Sequence, residues 1–130
     1  MGGYLLDTNI VLVIEEAPER LSANVRAAIE EGPAWLSVIS HWEVAIKFMK
    51  GKLDVADVRS WWAETLDAYD LRPLLLRPEH VTALCDLAPI HQDPFDRGLI
   101  AQAIAEDLTL VTNDDVIAQY ASERFRVLSP

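Results

Sequence analysis

Asp7, Glu43, Asp96, Asp114 and Asp115 each stand just after a short apolar run or at the start of a helical pattern, and together they span the whole chain. Carboxylate oxygens are hard donors that suit Mg²⁺ or Mn²⁺. Zinc sites instead recruit Cys and His at short spacings, and His41, His80, His91 and the single Cys85 offer no such set beyond the weak fragment His91-x-Asp93. Three or four carboxylates in one small cleft repel one another by roughly 3 kcal/mol per pair at about 5 Å and an effective dielectric near 20. A divalent cation removes that cost. The chemistry open to such a group is metal-assisted hydrolysis, in which the ion lowers the pKa of a water and offsets charge developing on a phosphate.

Each acid also has a plain structural role available. Ser40-His41-Trp42-Glu43 fits a capping box, with Ser40 as N-cap and Glu43 three positions on. Asp93-Pro94-Phe95-Asp96 is a good helix start, with Asp93 capping and Asp96 favoured by the helix dipole. Asn113, Asp114 and Asp115 suit the cap of a following helix, and Asp7-Thr8-Asn9 suits a turn. Capping, however, does not require the caps to meet at one end of one sheet. Glu43, Lys47 and Lys50 share a helical face by their spacing, as a salt-bridged surface or as a phosphate contact, and Arg97 beside Asp96 has the same two readings. Thr8 and Thr112 are placed to hydrogen-bond carboxylates or substrate.

Scattered carboxylates converge if the apolar runs before them are strands of one parallel sheet, because open α/β folds bind ligands outside the carboxyl ends of their strands. Strands are expected at Tyr4-Leu5-Leu6, Trp35 to Val38, Leu71 to Leu76, Leu108 to Thr112 and Phe125 to Leu128. Pro73 lacks an amide donor and points to an edge position for the third. Helical patterns lie between them: near Ile10 to Glu15, Leu21 to Glu31 closed by Gly32, His41 to Lys50 closed by Gly51, Val55 to Tyr69, Glu79 to Leu87, Pro94 to Asp107 and Val116 to Ser122. In the fourth, Val55, Val58, Trp62, Leu66 and Tyr69 recur at helical spacing and predict one buried face, with Trp61 and Trp62 in core or helix packing. Two helices between the second and third strands exceed a minimal crossover and predict a protruding pair. The alternation gives a three-layer α/β/α fold with right-handed crossovers and both faces of the sheet covered.

With 130 residues, half of them apolar, the chain reads as one domain over residues 1–130. A net charge of −10 argues against a broad basic nucleic-acid surface, so a nucleic-acid substrate must be held locally or through metal. The charge suits a basic partner. Cys85 cannot form an internal disulfide and is expected in the core; no signal-peptide pattern or membrane-length apolar run occurs, so a cytoplasmic protein is expected.

Taken in order, Tyr4-Leu5-Leu6-Asp7-Thr8-Asn9, Ser40-His41-Trp42-Glu43-Val44-Ala45-Ile46-Lys47 with Gly51-Lys52-Leu53 after it, His91-Gln92-Asp93-Pro94-Phe95-Asp96-Arg97 and Leu110-Val111-Thr112-Asn113-Asp114 resemble the PIN-domain family, close to the VapC-type toxins of bacterial toxin–antitoxin pairs. The resemblance covers essentially the whole chain. It implies a five-stranded parallel sheet of order 3-2-1-4-5 and a magnesium- or manganese-dependent endoribonuclease. The family's acidic positions match Asp7, Glu43, Asp96 and Asp114, with Asp93 as a cap or supporting residue and Asp115 as the rival for the fourth place. The resemblance further implies RNA cleavage by water to a 5′-phosphate and a 3′-hydroxyl, inhibition by a VapB-like antitoxin that reaches the acids through a cationic side chain, and a homodimer, for which the Trp-rich helices offer a surface.

Two other classes compete. A phosphoacceptor receiver domain needs an acidic pair after the first strand and a Lys after the last, whereas Thr8-Asn9 follow Asp7 and only Ser129-Pro130 follow Leu128. A non-catalytic PIN-like RNA- or protein-binding domain is separated by metal-dependent turnover.

Overall fold

The computed structural model describes residues 2–90 and 92–129; the expectation for His91 lies outside the described residues. Five strands form one sheet: β1 (Tyr4–Leu6), β2 (Ala34–Ser37), β3 (Leu71–Leu74), β4 (Thr109–Val111) and β5 (Val127–Leu128). Their order is β3-β2-β1-β4-β5, every pair is parallel, and β1 is central. The register sets Leu5 beside Trp35 on one side and Leu110 on the other. The helices are α1 (Thr8–Glu16), α2 (Ala23–Glu31), α3 (Val38–Met49), α4 (Val58–Ala68), α5 (Pro78–Ala83), α6 (Pro94–Glu106) and α7 (Asp115–Ala118), with 3₁₀ turns at Pro18–Arg20 and Leu84–Asp86. This is the expected α/β/α architecture and the expected strand order.

Alternation along β1 divides the core, since successive strand side chains point to opposite faces. Leu6 joins Ala34, Leu36 and Val111 beneath α1, α2 and α4, packed by Ile10, Val25 and Trp61. Leu5 joins Leu110 beneath α6 and α7, packed by Leu99, Ile100, Ala103 and Ile117. Full burial of each such side chain contributes about 1.5–3 kcal/mol. A parallel sheet covered on both faces brings the carboxyl ends of β1, β2 and β4 out at one rim, where α1, α3 and α7 begin. Pro73 does occupy an edge strand, paired on one side only with Leu36 of β2.

Four expectations are corrected. Helix α3 begins three residues before its expected start at His41: β2 ends at Ser37, whose hydroxyl accepts the amide of Ile39 at 3.0 Å, so Ser37 is the N-cap and no Ser40/Glu43 capping box forms. Helix α4 begins at Val58 rather than Val55, because Asp57 caps it by accepting the amide of Arg59. Its buried centre is Trp61 and Thr65, while Val55, Val58, Trp62, Leu66 and Tyr69 flank that line and are half-buried. Trp61 packs in the core, as expected, and stacks on His41 with ring centroids 5.9 Å apart. Cys85 lies exposed on the second 3₁₀ turn, not in the core.

Candidate active site

Asp7 follows β1 directly and occupies the N-cap position of α1, but its side chain makes no capping bond. Its carboxylate turns to β4 instead: Oδ2 accepts the hydroxyl of Thr112 at 2.7 Å. Its own amide donates to the carbonyl of Val111 at 2.9 Å, so backbone and side chain both fix Asp7 against the neighbouring strand. Asp7 is only 5 % exposed. Burial pushes its carboxyl above the ordinary range; the Thr112 bond pulls it back, and the charges of Glu43 and then Asp114 push it up again. These three acids, separate in sequence, therefore share one electrostatic environment.

Glu43 reaches that environment from the second turn of α3. Its Oε2 pairs with Lys47 Nζ at 3.3 Å, one helical turn on, while its Oε1 is buried with no hydrogen-bond partner. An acceptor buried without a donor costs about 1–3 kcal/mol. The helix is held in place by a buried bond in which the Thr8 hydroxyl donates to Ser40 Oγ at 2.8 Å. Ser40, released from capping, thus locks the start of α1 to the helix that carries Glu43.

Asp114 is the N-cap of α7, with Oδ1 accepting the amides of Val116 and Ile117. Its amide donates to the same Thr112 hydroxyl at 3.0 Å. Asp115 is exposed in the first turn of α7, and it is Asp114, not Asp115, whose charge acts on Asp7.

Asp96 lies in the first turn of α6, with Asp93 as cap accepting the amides of Phe95 and Asp96. That turn meets α3 through the edge-on pair Trp42 and Phe95, centroids 5.2 Å apart, and through Gly98, where a Cβ would stand 2.8 Å from Ile39 Cδ1. The missing side chain lets the helix of Asp96 approach the helix of Glu43. The Arg97 guanidinium donates to the carbonyls of Ala88 and Leu84 and to the Tyr120 hydroxyl, which ties it to the connection before α6.

Hard oxygen donors, a carboxyl raised by its neighbours' charge and an orphaned Glu43 oxygen all fit a divalent cation. Among the described residues, no three His, Cys, Asp or Glu side chains are grouped tightly enough to hold a metal as they stand. The arrangement is a set of mutually repelling carboxylates that a cation would draw together. Residues not singled out in the sequence also border it. Asn9 Nδ2 donates to Asn113 Oδ1 at 3.4 Å, and both line a cavity with Arg20, Lys47 and Lys52. Asn9 and Asn113 were signalled only by adjacency to the acids, and Arg20 carried no signal at all.

Residues 4–123 match the family model described as the PIN domain. Among solved structures, the chain is similar to VapBC2 from Rickettsia felis bound to a promoter DNA fragment, at 19% identity and a TM-score of 0.69, covering 99% of this chain and 98% of that one. It is similar to DNA-bound VapBC from Salmonella typhimurium at 15% identity and a TM-score of 0.68, with the same coverage of 99% and 98%. VapBC-5 from Mycobacterium tuberculosis matches at 18% identity, a TM-score of 0.62 and again 99% and 98%. At such identities the likeness is one of fold. No curated protein matches the chain significantly by sequence.

Proposed function

The chain belongs to the PIN domain family, and from that premise we propose that it is an Mg²⁺- or Mn²⁺-dependent endoribonuclease, the toxin of a toxin–antitoxin pair. The observation that carries the proposal is the Asp7 carboxyl at the end of β1, raised first by its burial and further by the charges of Glu43 and Asp114. Such burial and repulsion cost the fold stability, and a cation bound among the carboxylates would offset that cost.

Asp7, Glu43, Asp96 and Asp114 are the proposed ligands. A bound Mg²⁺ or Mn²⁺ supplies Lewis acidity, easing the deprotonation of water and neutralising charge that develops on the phosphate. The chain's own residues do the positioning. Thr112 holds the Asp7 carboxylate in one orientation and ties it to the backbone of Asp114. Oε1 of Glu43, which has no hydrogen-bond partner, is the oxygen this carboxylate would offer the cation. Lys47, paired with Oε2 of Glu43, holds that carboxylate in one orientation. Water as nucleophile leaves a 5′-phosphate and a 3′-hydroxyl.

The structural relatives include VapBC and FitAB complexes; by analogy the inhibitor is a VapB-like antitoxin, whose cationic segment a chain of net charge −10 would attract. A homodimer is also proposed, through the exposed Trp42, Phe48 and Met49 of α3 rather than through Trp61. No described helix is long and apolar enough to cross a membrane.

The test is cleavage of defined structured RNAs by antitoxin-free protein with Mg²⁺ or Mn²⁺, beside EDTA and the variants Asp7→Asn and Asp96→Asn. Cuts that need metal and vanish in both variants are expected. RNA binding without turnover by folded, metal-loaded protein would replace the enzyme with a non-catalytic binding domain.

A further inference from the structure

We infer that the cavity beside α1 lined by Arg20, Lys47 and Lys52 is a subsite for a backbone phosphate of the RNA strand next to the bond that is cut. This rests on the ribonuclease proposal and adds to it where the strand runs.

The cavity has a volume of about 360 Å³ and opens between α1, the 3₁₀ turn after it and the segment that follows α3. Three of the chain's eleven Lys and Arg residues line it, on a protein whose net charge is −10. Of the three, Lys47 is paired with a carboxylate, that of Glu43. Arg20 and Lys52 pair with none among the described residues, even though Glu16 lines the same cavity. Two unpaired cations in one concave wall repel each other, and a bound anion reverses that.

The position of the cavity identifies the anion. Lys47 belongs to its wall and also pairs with Glu43, so one side chain joins the cavity to the carboxylates. At the same end lie Asn9, two residues after Asp7, and Asn113, one residue before Asp114, hydrogen-bonded to each other. A phosphodiester at the acids therefore has its neighbouring phosphate within reach of Arg20 and Lys52. Leu12, Val13 and Leu53 add apolar surface to the lining, against which a ribose can pack. A chain this acidic cannot hold RNA through a broad basic surface, and a local cationic subsite meets that need.

The experiment uses an RNA oligonucleotide that the wild-type protein cleaves, with Arg20→Gln, Lys52→Gln, the double variant and Arg59→Gln as a remote control. KM should rise about tenfold for each subsite variant while kcat holds, as expected for a lost charged hydrogen bond. In the Asp7→Asn background, which does not turn over, the slope of log affinity against log salt should fall by about 1 per cation removed. Unchanged circular dichroism and metal-dependent Tm would show that the variants fold. Wild-type cleavage with wild-type KM and salt slope in both subsite variants would overturn the subsite and leave the ribonuclease standing. Weakened antitoxin binding with RNA parameters intact would overturn it in favour of a protein contact. A wild-type chain that neither binds nor cleaves any RNA would overturn both.

Discussion

The hydroxyl of Thr112 donates to Oδ2 of Asp7 at 2.7 Å across 105 positions of sequence and, in the same place, accepts the amide of Asp114 at 3.0 Å. One buried side chain at the end of β4 thus orients the acid that follows β1 and fixes the start of the loop carrying the acid that caps α7. Valine keeps the shape of threonine and lacks both bonds.

Thr112→Val is expected to destabilise the fold by about 1–3 kcal/mol, since the Asp114 amide loses its acceptor and Asp7 a donor. Removing the bond that lowers the Asp7 pKa should also move the acidic limb of the pH–rate profile upward. Activity is expected to fall roughly 10–100-fold, as for other residues that orient a metal ligand. Urea unfolding and a pH–rate series measure the two effects separately; an unshifted acidic limb would deny Thr112 its electrostatic part.

Asp7 has a pKa raised in the fold above its ordinary value of 3.8, so between those two values the native state holds a proton that the unfolded chain has lost. Stability is therefore greatest below the unfolded value and declines as pH rises through the folded one. In EDTA, Asp7→Asn should be more stable than wild type at pH 7 and lose that advantage on acidification. Mg²⁺ or Mn²⁺ should reverse the order by stabilising the wild type alone, by about 2.7 kcal/mol at 100 times Kd. Thermal unfolding at several pH values with and without metal tests this, and a variant no more stable than wild type in EDTA would contradict it.

Thr8 and Ser40 share a bond buried from solvent at both ends, 2 % and 0 % exposed. Ser40→Ala alone strands the Thr8 hydroxyl and should destabilise by about 1–3 kcal/mol, whereas adding Thr8→Val should restore part of that loss. A double-mutant cycle by denaturant unfolding reads the coupling. A coupling energy near zero would mean that the two helices are held by packing alone.

The strands, the three layers and the acids that follow β1 and β4 were legible because apolar runs, Gly stops and Asp caps are local signals, whereas the strand order was implied only by the resemblance of the ordered motifs to a known family. What eluded the sequence depended on distant partners. Val38 read as the end of a strand because β-branched residues favour sheets, yet the Ser37 hydroxyl, held by Gln102 of α6, caps the chain into a helix one turn early. Ser40 then became a buried link to Thr8 instead of a cap. Periodicity found the half-buried flanks of α4 but not its centre, since Thr65 is polar and Trp61 sits one position away from the apolar repeat. Cys85 fell on a 3₁₀ turn whose contacts no spacing rule encodes. Arg20 shows the same limit at the site, for only the folded turn after α1 brings it beside Lys47.

A chain of polar side chains runs from Glu106 through His80 and Gln102 to Ser37, the cap of α3. His80, 1 % exposed, takes the Arg77 amide on Nδ1 at 3.0 Å and so carries its proton on Nε2, which donates to Glu106 at 2.9 Å. Gln102 lies against the same Nδ1 and accepts the hydroxyl of Ser37, the cap of α3. The His80 bond foremost, and Arg77 after it, hold the Glu106 carboxyl below its ordinary 4.5. A lowered pKa means that the unfolded chain binds the proton first as pH falls. The stabilisation by Glu106 is full above 4.5 and disappears through the folded value. Glu106→Gln is therefore expected to lose about 1.5–3 kcal/mol at pH 7, the range for hydrogen bonds to a charged group, and the gap from wild type should narrow below pH 4.5. Urea midpoints at pH 7, 5 and 4 give the trend. A gap that stays constant over that range would show that Glu106 acts by shape and not by charge.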